Sequence, residues 1–237
     1  MQKLIKAGIL IALLVVPAFV FLFLKAFGTN RYSLRTYYPR VDSTTGEPII
    51  RKRVEYRREV NDTLFHQVPD FALTDQNGRG VTGAITGGKV SIVSFLFTRC
   101  LGVCPKTSAQ MSRVQDLFLN NPDVVLLSYS VDPAHDQPPV LREYAATYGA
   151  KPGKWFFLTG DKEAIYRLVR EGYKLPATDT GKQTQSLEDE FIHSERLVLV
   201  DKDRHIRGYY NGIDPEEIDR LVLETRILLD MDGQQTK

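Results

Sequence analysis

Cysteine is nearly missing from this chain: Cys100 and Cys104 are the only two in 237 residues. That excludes a disulfide scaffold and leaves the fold to stand on its apolar core. Excess charge is missing too. With 31 basic against 29 acidic residues and a net charge of +2, nothing points to nucleic acid or to a strongly acidic partner. No internal repeat is present, which sets aside solenoids. No Thr-x-x-Cys arrangement precedes Cys100, which ranks thiol peroxidase chemistry low. What remains is enough for a sizeable core: 43% of residues are hydrophobic, and the length suits one domain plus an extension.

The extension is at the N-terminus. After Lys3 and Lys6, residues Ala7 to Leu24 run without a charge. At about 1.5 Å per residue this run spans roughly 27 Å, close to a bilayer's hydrocarbon core, and Leu4 and Ile5 lengthen it with Lys6 snorkelling. Pro17 is tolerable inside a membrane helix. A cleaved signal peptide is the competing reading, but Lys25-Ala26-Phe27-Gly28 lacks a small-x-small cleavage site. No cysteine follows the run, so a lipid-anchored lipoprotein is not expected. The apolar run begins too early for an Arg- and Ser-rich transit peptide, which favours a bacterial envelope over a mitochondrion. Cations flank the run on both sides, with Lys25, Arg31, Arg35 and Arg40 after it. Counted literally, they lean against export of the C-terminal part. The expectation of an extracytoplasmic domain rests on the site chemistry below.

Three parts are expected: an anchor over 1–27, a membrane-proximal linker over 28–67, and a globular domain over 68–237. The linker, with Arg51-Lys52-Arg53 and Arg57-Arg58, reads as solvated and extended, although the alternation of Ile49 to Val60 also suits a short strand. In the domain, Phe71 to Thr74 enters an Asn77-Gly78 turn. Val90 to Phe97 and Val124 to Val131 are apolar on nearly every residue, as central strands buried on both faces are. Helices are expected over Pro105–Leu119, Val140–Tyr148 and Lys162–Glu171, and a strand over Trp155–Leu158. A polar loop over Gly172–Glu190 precedes a hairpin around Lys202-Asp203-Arg204. A last amphipathic helix follows Asp214-Pro215-Glu216-Glu217. This order predicts a thioredoxin-like α/β domain with a central mixed sheet flanked by helices.

Cys100-Leu101-Gly102-Val103-Cys104-Pro105 falls where the first central strand hands over to a helix. The reading places both thiols at an exposed helix N-terminus, where the dipole favours thiolate. Thiolate serves both disulfide exchange and soft-metal binding. A four-residue step lets both sulfurs face one point on a helical turn or close a disulfide if the turn relaxes, so both chemistries stay open. A metal between two thiolates wants a third ligand. His193, after the polar loop, is one candidate, and His135, on a strand-to-helix loop at the same sheet edge, is its rival. His205 in a hairpin turn and His66 in the linker read as surface residues. Zinc is disfavoured, because the chain offers three soft ligands and no evident fourth. Asp132 reads as a cap or loop support, since hard carboxylates suit a soft metal poorly.

Three blocks carry a resemblance: Phe97-Thr98-Arg99-Cys100-Leu101-Gly102-Val103-Cys104-Pro105, then Ser130-Val131-Asp132-Pro133-Ala134-His135-Asp136-Gln137-Pro138, then His193-Ser194 before Leu197 to Asp201. In order and spacing, over roughly residues 68–230, the chain resembles the Sco/SenC family. The resemblance implies a thioredoxin-like fold behind a single N-terminal transmembrane helix, in a bacterial inner membrane with the C-terminal domain outside the cytoplasm. It implies a copper ion held by Cys100, Cys104 and His193. It also implies a metallochaperone, rather than an enzyme, that delivers copper to the CuA centre of cytochrome c oxidase. Its partner is then that oxidase's copper-bearing subunit or another copper-receiving protein. The alternative is a thiol–disulfide oxidoreductase in which Cys100 attacks a partner disulfide and Cys104 resolves it. The chain departs from the family at Leu101-Gly102, where Pro-Asp is frequent, and at Gln137, where Thr is frequent.

Overall fold

The computed structural model describes residues 6, 13–23, 34–55, 58–176 and 195–235. The chain divides into two compact units, Met1–Ser33 and Leu34–Lys237. In the first, residues 13–23 are helical and their apolar side chains are exposed. Among the described residues no helix is long and apolar enough to cross a membrane. The expected span over 7–24 lies partly outside them.

The second unit begins earlier in the chain than an extended linker allows. Strands β1 (Ile50–Glu55) and β2 (Arg58–Thr63) form an antiparallel hairpin with Ile50 opposite Thr63. Bridges Val41 to Pro48 and Pro39 to Phe65 extend it. The preceding chain is tied down as well: the Tyr37 amide donates to the Ile206 carbonyl at 3.0 Å. The Arg207 guanidinium donates to the Leu34 carbonyl at 2.8 Å and the Arg35 carbonyl at 3.2 Å. The expectation of a solvated linker over these residues is therefore corrected. The alternation over Ile49 to Val60 is the strand signal, and the backbone pairing beyond the hairpin comes from residues on either side.

Seven strands form the main sheet in the order β4-β3-β7-β6-β5-β8-β9. These are β3 (Ala72–Asp75), β4 (Gly80–Thr82), β5 (Val90–Leu96), β6 (Val124–Ser130), β7 (Trp155–Thr159), β8 (Arg196–Val200) and β9 (Ile206–Asn211). Strands β5, β6 and β7 run parallel, joined through helices α1 (Val103–Leu117) and α2 (Pro138–Thr147). The pairs β3–β7, β3–β4, β5–β8 and β8–β9 are antiparallel. Helix α3 (Lys162–Arg167) runs into a π-helical turn, Leu168–Gly172. Helix α4 (Pro215–Gln235) closes the chain and packs on β9, β5 and α1. This is a thioredoxin-like α/β fold with a mixed central sheet flanked by helices.

Every residue of β5 and β6 is buried, as the uninterrupted apolar runs require of parallel strands covered on both faces. Two of the serines in those runs are paired with each other. Ser94 and Ser128, in register across β5 and β6, share a hydrogen bond at 2.7 Å, and the buried Trp155 indole N–H donates to the Ser128 hydroxyl at 2.9 Å. Burying a polar group is tolerable only with such a partner. At the other side of the sheet, Gln76 replaces a ladder residue: its amide donates to the Trp155 carbonyl at 3.2 Å, and its carbonyl accepts from the Phe157 amide at 2.9 Å. The Asn77-Gly78 turn forms as read, with Gly78 at φ 79° and the Asp75 carboxylate accepting from the Asn77 and Arg79 amides.

Because Ser128 alone satisfies the Trp155 indole among the described residues, Ser128→Ala is expected to lower stability by about 1–3 kcal/mol. Chemical denaturation of the full chain measures it, and an unchanged midpoint contradicts the role given to this hydroxyl.

Candidate metal and thiol site

The parallel strands β5, β6 and β7 end at one edge of the sheet, and the loops leaving β5 and β6 meet there. The β5 loop carries Thr98, Arg99 and Cys100, and the β6 loop carries Asp132 to Gln137. Asp136 is fully buried, and its carboxylate ties the two together. One oxygen accepts from the Thr98 amide at 3.0 Å and the Ser130 hydroxyl at 2.6 Å. The other takes the Thr98 hydroxyl at 2.5 Å. Asp132 adds an ion pair with the Arg99 guanidinium. The two residues before Cys100 are thus gripped by two carboxylates from another strand's loop. The reading of Asp132 as loop support matches this contact.

Cys100 closes the turn, its amide donating to the Phe97 carbonyl at 3.1 Å. Helix α1 then starts without a side-chain cap at Gly102. The first amides of a helix lack internal partners. Pro105 removes one of them, and the Cys104 amide is directed at Cys100 Sγ, 3.4 Å away. Sulfur therefore takes the place that a serine or aspartate oxygen fills at other helix starts. The positive end of the helix lies against it.

One expectation is corrected. The thiols do not stand at an exposed helix end: Cys100 is 3% exposed and Cys104 1%, both part of the apolar core, whereas Leu101 between them is 94% exposed. The four-residue step turns both side chains inward and pushes the intervening Leu101-Gly102 into solvent. Tyr144 of α2 covers the same side of α1, its hydroxyl 3.0 Å from that of Ser108, one turn after Cys104. Burial pushes the Tyr144 phenol far above the ordinary tyrosine range. The Ser108 hydrogen bond offsets part of that rise, and the nearby Cys104 adds to it. This phenol stays a neutral O–H. Two sulfurs in dry surroundings, next to a helix N-terminus, make a donor set suited to a soft cation.

The histidines separate by their contacts. His135 Nδ1 lies 3.0 Å from the Asp136 carboxylate and 3.4 Å from the Thr98 hydroxyl, so this rival candidate belongs to the brace. His66 is half-buried with Nε2 2.8 Å from the Gly172 carbonyl, and burial pulls its pKa below the usual histidine value. His205 sits in the β8–β9 turn with Nδ1 3.5 Å from Asp201. His193 lies outside the described residues. The described chain resumes at Glu195, whose carbonyl accepts from the Gly212 amide at 2.6 Å. Gly212 packs on Thr107, three residues beyond Cys104 on α1. The sequence reading missed the Asp136–Thr98 and Gly212–Thr107 contacts, which join positions 38 and 105 residues apart.

Asp136→Ala strips partners from the part-buried Thr98 amide and the buried Ser130 hydroxyl, and is expected to cost about 2–4 kcal/mol. It is also expected to speed alkylation of Cys100 and Cys104 by iodoacetamide in the native chain. Unchanged alkylation with unchanged stability contradicts the brace.

Comparison with known proteins agrees with this geometry. The pattern of the SCO1/SenC family matches residues 61–226. The SCO1 protein homolog of Bacillus subtilis (strain 168) is 30% identical over 170 residues, 71% of this chain and 86% of its own. Among solved structures, BsSco, a member of the Sco family of cytochrome c oxidase assembly proteins in which a disulfide switch was identified, is 27% identical with a TM-score of 0.56. That match covers 69% of this chain and 93% of BsSco. ScoI of Arabidopsis thaliana with copper bound is 26% identical with a TM-score of 0.52, covering 67% of this chain and 97% of its own. With its fold, its paired cysteines and a family match over more than half its length, this chain belongs to the SCO1/SenC family.

Proposed function

We propose that this chain is a membrane-anchored copper chaperone that holds copper through Cys100, Cys104 and His193 and hands it to the CuA centre of a cytochrome c oxidase during assembly. The observation that carries the reading is the pair of buried cysteines one helical turn apart, with the Cys104 amide directed at Cys100 Sγ. Two thiolates and an imidazole are soft donors that suit Cu(I). Three ligands leave room for a fourth, so a ligand of the receiving protein can enter before the donor's ligands leave. Copper here is cargo, and the chain's own part is to keep it dry and bound until that exchange. Support for the metal comes from copper-bound Arabidopsis thaliana ScoI, and support for the client from BsSco as an oxidase assembly protein. The uncharged run Ala7 to Leu24 supports the anchor, with the domain on the extracytoplasmic side of a bacterial inner membrane.

The disulfide switch described for BsSco favours a second reading, thiol–disulfide exchange. Cys100 thiolate attacks a partner disulfide, forming a mixed disulfide and releasing one partner thiolate. Cys104 thiolate then attacks Cys100 Sγ, releasing the second partner thiolate and leaving a Cys100–Cys104 disulfide. Two electrons pass to the partner, and no histidine is required.

Cys100→Ser and Cys104→Ser are each expected to abolish tight Cu(I) binding by the reduced chain, read by competition with a chromophoric chelator. Unchanged stoichiometry in either variant contradicts the copper reading. A reporter active only in the periplasm, fused after Lys237, is expected to be active, and activity of a cytoplasm-only reporter instead overturns the assigned topology.

A further inference from the structure

We propose that Leu101 is the anchor by which the copper-receiving protein docks on this chain, its side chain entering an apolar recess rimmed by carboxylates on that partner. The proposal rests on the reading that Cys100 and Cys104 pass copper to a partner protein. Single apolar side chains on a surface are ordinary, so exposure alone decides nothing. Leu101 differs in degree and in place. At 94% it is the most exposed of the large apolar side chains described, and it stands between two cysteines of which neither is more than 3% exposed. Ligand exchange needs a partner's donor atom within bonding reach of those sulfurs. A protein that comes so close to Cys100 and Cys104 meets the loop that joins them.

The loop is held at both ends while its tip is bare. On one side the Cys100 amide donates to the Phe97 carbonyl at 3.1 Å, and Asp136 and Asp132 grip Thr98 and Arg99. On the other, the Cys104 amide is directed at Cys100 Sγ, 3.4 Å away, and α1 begins. A Cβ built on Gly102 meets nothing within 4 Å, so Leu101 and Gly102 form a protruding knuckle with open space beside it. Burying a side chain whose backbone is already fixed costs little further ordering, which separates an anchor from a mobile surface residue. A protruding apolar knob fits a concave apolar partner. Charge sets the rim. From Arg99 to Lys106 the chain carries two cations and no acid, and both cations are exposed. Arg99 shares its charge with Asp132, whereas Lys106 has no ion-pair partner among the described residues. Asp132 and Asp136 are themselves buried, and the N-terminus of α1 adds its positive end. The segment that carries Leu101 is therefore positive, and its complement is acidic.

Transfer of Cu(I) from the loaded, reduced full-length chain to the reduced apo CuA domain of the cognate oxidase tests this, with removal of the same copper by a small chromophoric chelator as the second measurement. Leu101→Ser is expected to slow transfer to the CuA domain by about tenfold or more, while chelator removal and Cu(I) affinity stay within about threefold of wild type. Leu101→Met, which keeps an apolar side chain of similar volume, is expected to restore transfer. Lys106→Glu is expected to slow transfer at low salt and to lose most of that effect at high salt, whereas the Leu101→Ser defect persists at both. Wild-type transfer by Leu101→Ser overturns the docking role. So does an equal slowing toward the CuA domain and the chelator, because it places Leu101 in the geometry of the site itself. Wild-type transfer by Lys106→Glu at low salt overturns the acidic rim. A wild-type chain that yields copper to the chelator but none to the CuA domain overturns the client reading, and the docking role falls with it.

Discussion

The Asp136 carboxylate, buried at the end of β6, holds the backbone and side chain of Thr98 and the hydroxyl of Ser130. The geometry of the cysteine loop depends on that one group. A carboxylate with no exposure to water is costly unless each lone pair is used, and here the partners come from two different strands. Satisfying it therefore locks the β5 loop to the β6 loop. The ion pair of Arg99 with Asp132 adds a second point of attachment, and Cys100 follows directly. The Val131 to Asp136 block contributes no metal ligand in this account. Its part is to fix where Cys100 leaves the sheet.

From that fixed exit the helix start follows. Pro105 and an uncapped Gly102 leave the Cys104 amide in search of an acceptor, and Cys100 Sγ supplies it. The same contact that begins α1 thus fixes the position of the Cys100 sulfur at the helix start. Burial of both cysteines then separates two demands that a copper carrier must meet. Shielding from water protects the bound ion and the thiolates, while a partner needs a surface by which to recognise the site. In this chain the surface at that place is Leu101, almost fully exposed, between the two buried cysteines.

Local signals carried most of the fold into view. The unbroken apolar runs of β5 and β6 announced buried parallel strands, Asn77-Gly78 announced a turn, and Asp214-Pro215 announced α4. In each case the cause lies within a few residues. The features that escaped are those settled by distant partners. The hairpin of β1 and β2 looked like a charged linker because β1 is rich in cations, and the chain on either side of it is tied to distant residues, Leu34 to Tyr37 to Ile206 and Arg207, and Val68 to Arg204. The cysteines looked exposed because a helix N-terminus usually is, yet their burial depends on Tyr144 and on the core beneath β5. His193 was singled out from three other histidines by its block resemblance. Nothing in its neighbourhood in sequence discloses that Glu195 is fastened one helical turn from Cys104 through Gly212.

The central claim is that copper is held by two cysteines and a histidine, and the direct measurement is a Cu(I) titration of the reduced full-length chain against a competing chelator, for wild type and His193→Ala. One tightly bound equivalent that weakens by about tenfold or more without His193 is the predicted result. Absence of tight binding, or an affinity indifferent to His193, contradicts the account and leaves thiol–disulfide exchange as the chemistry of Cys100 and Cys104.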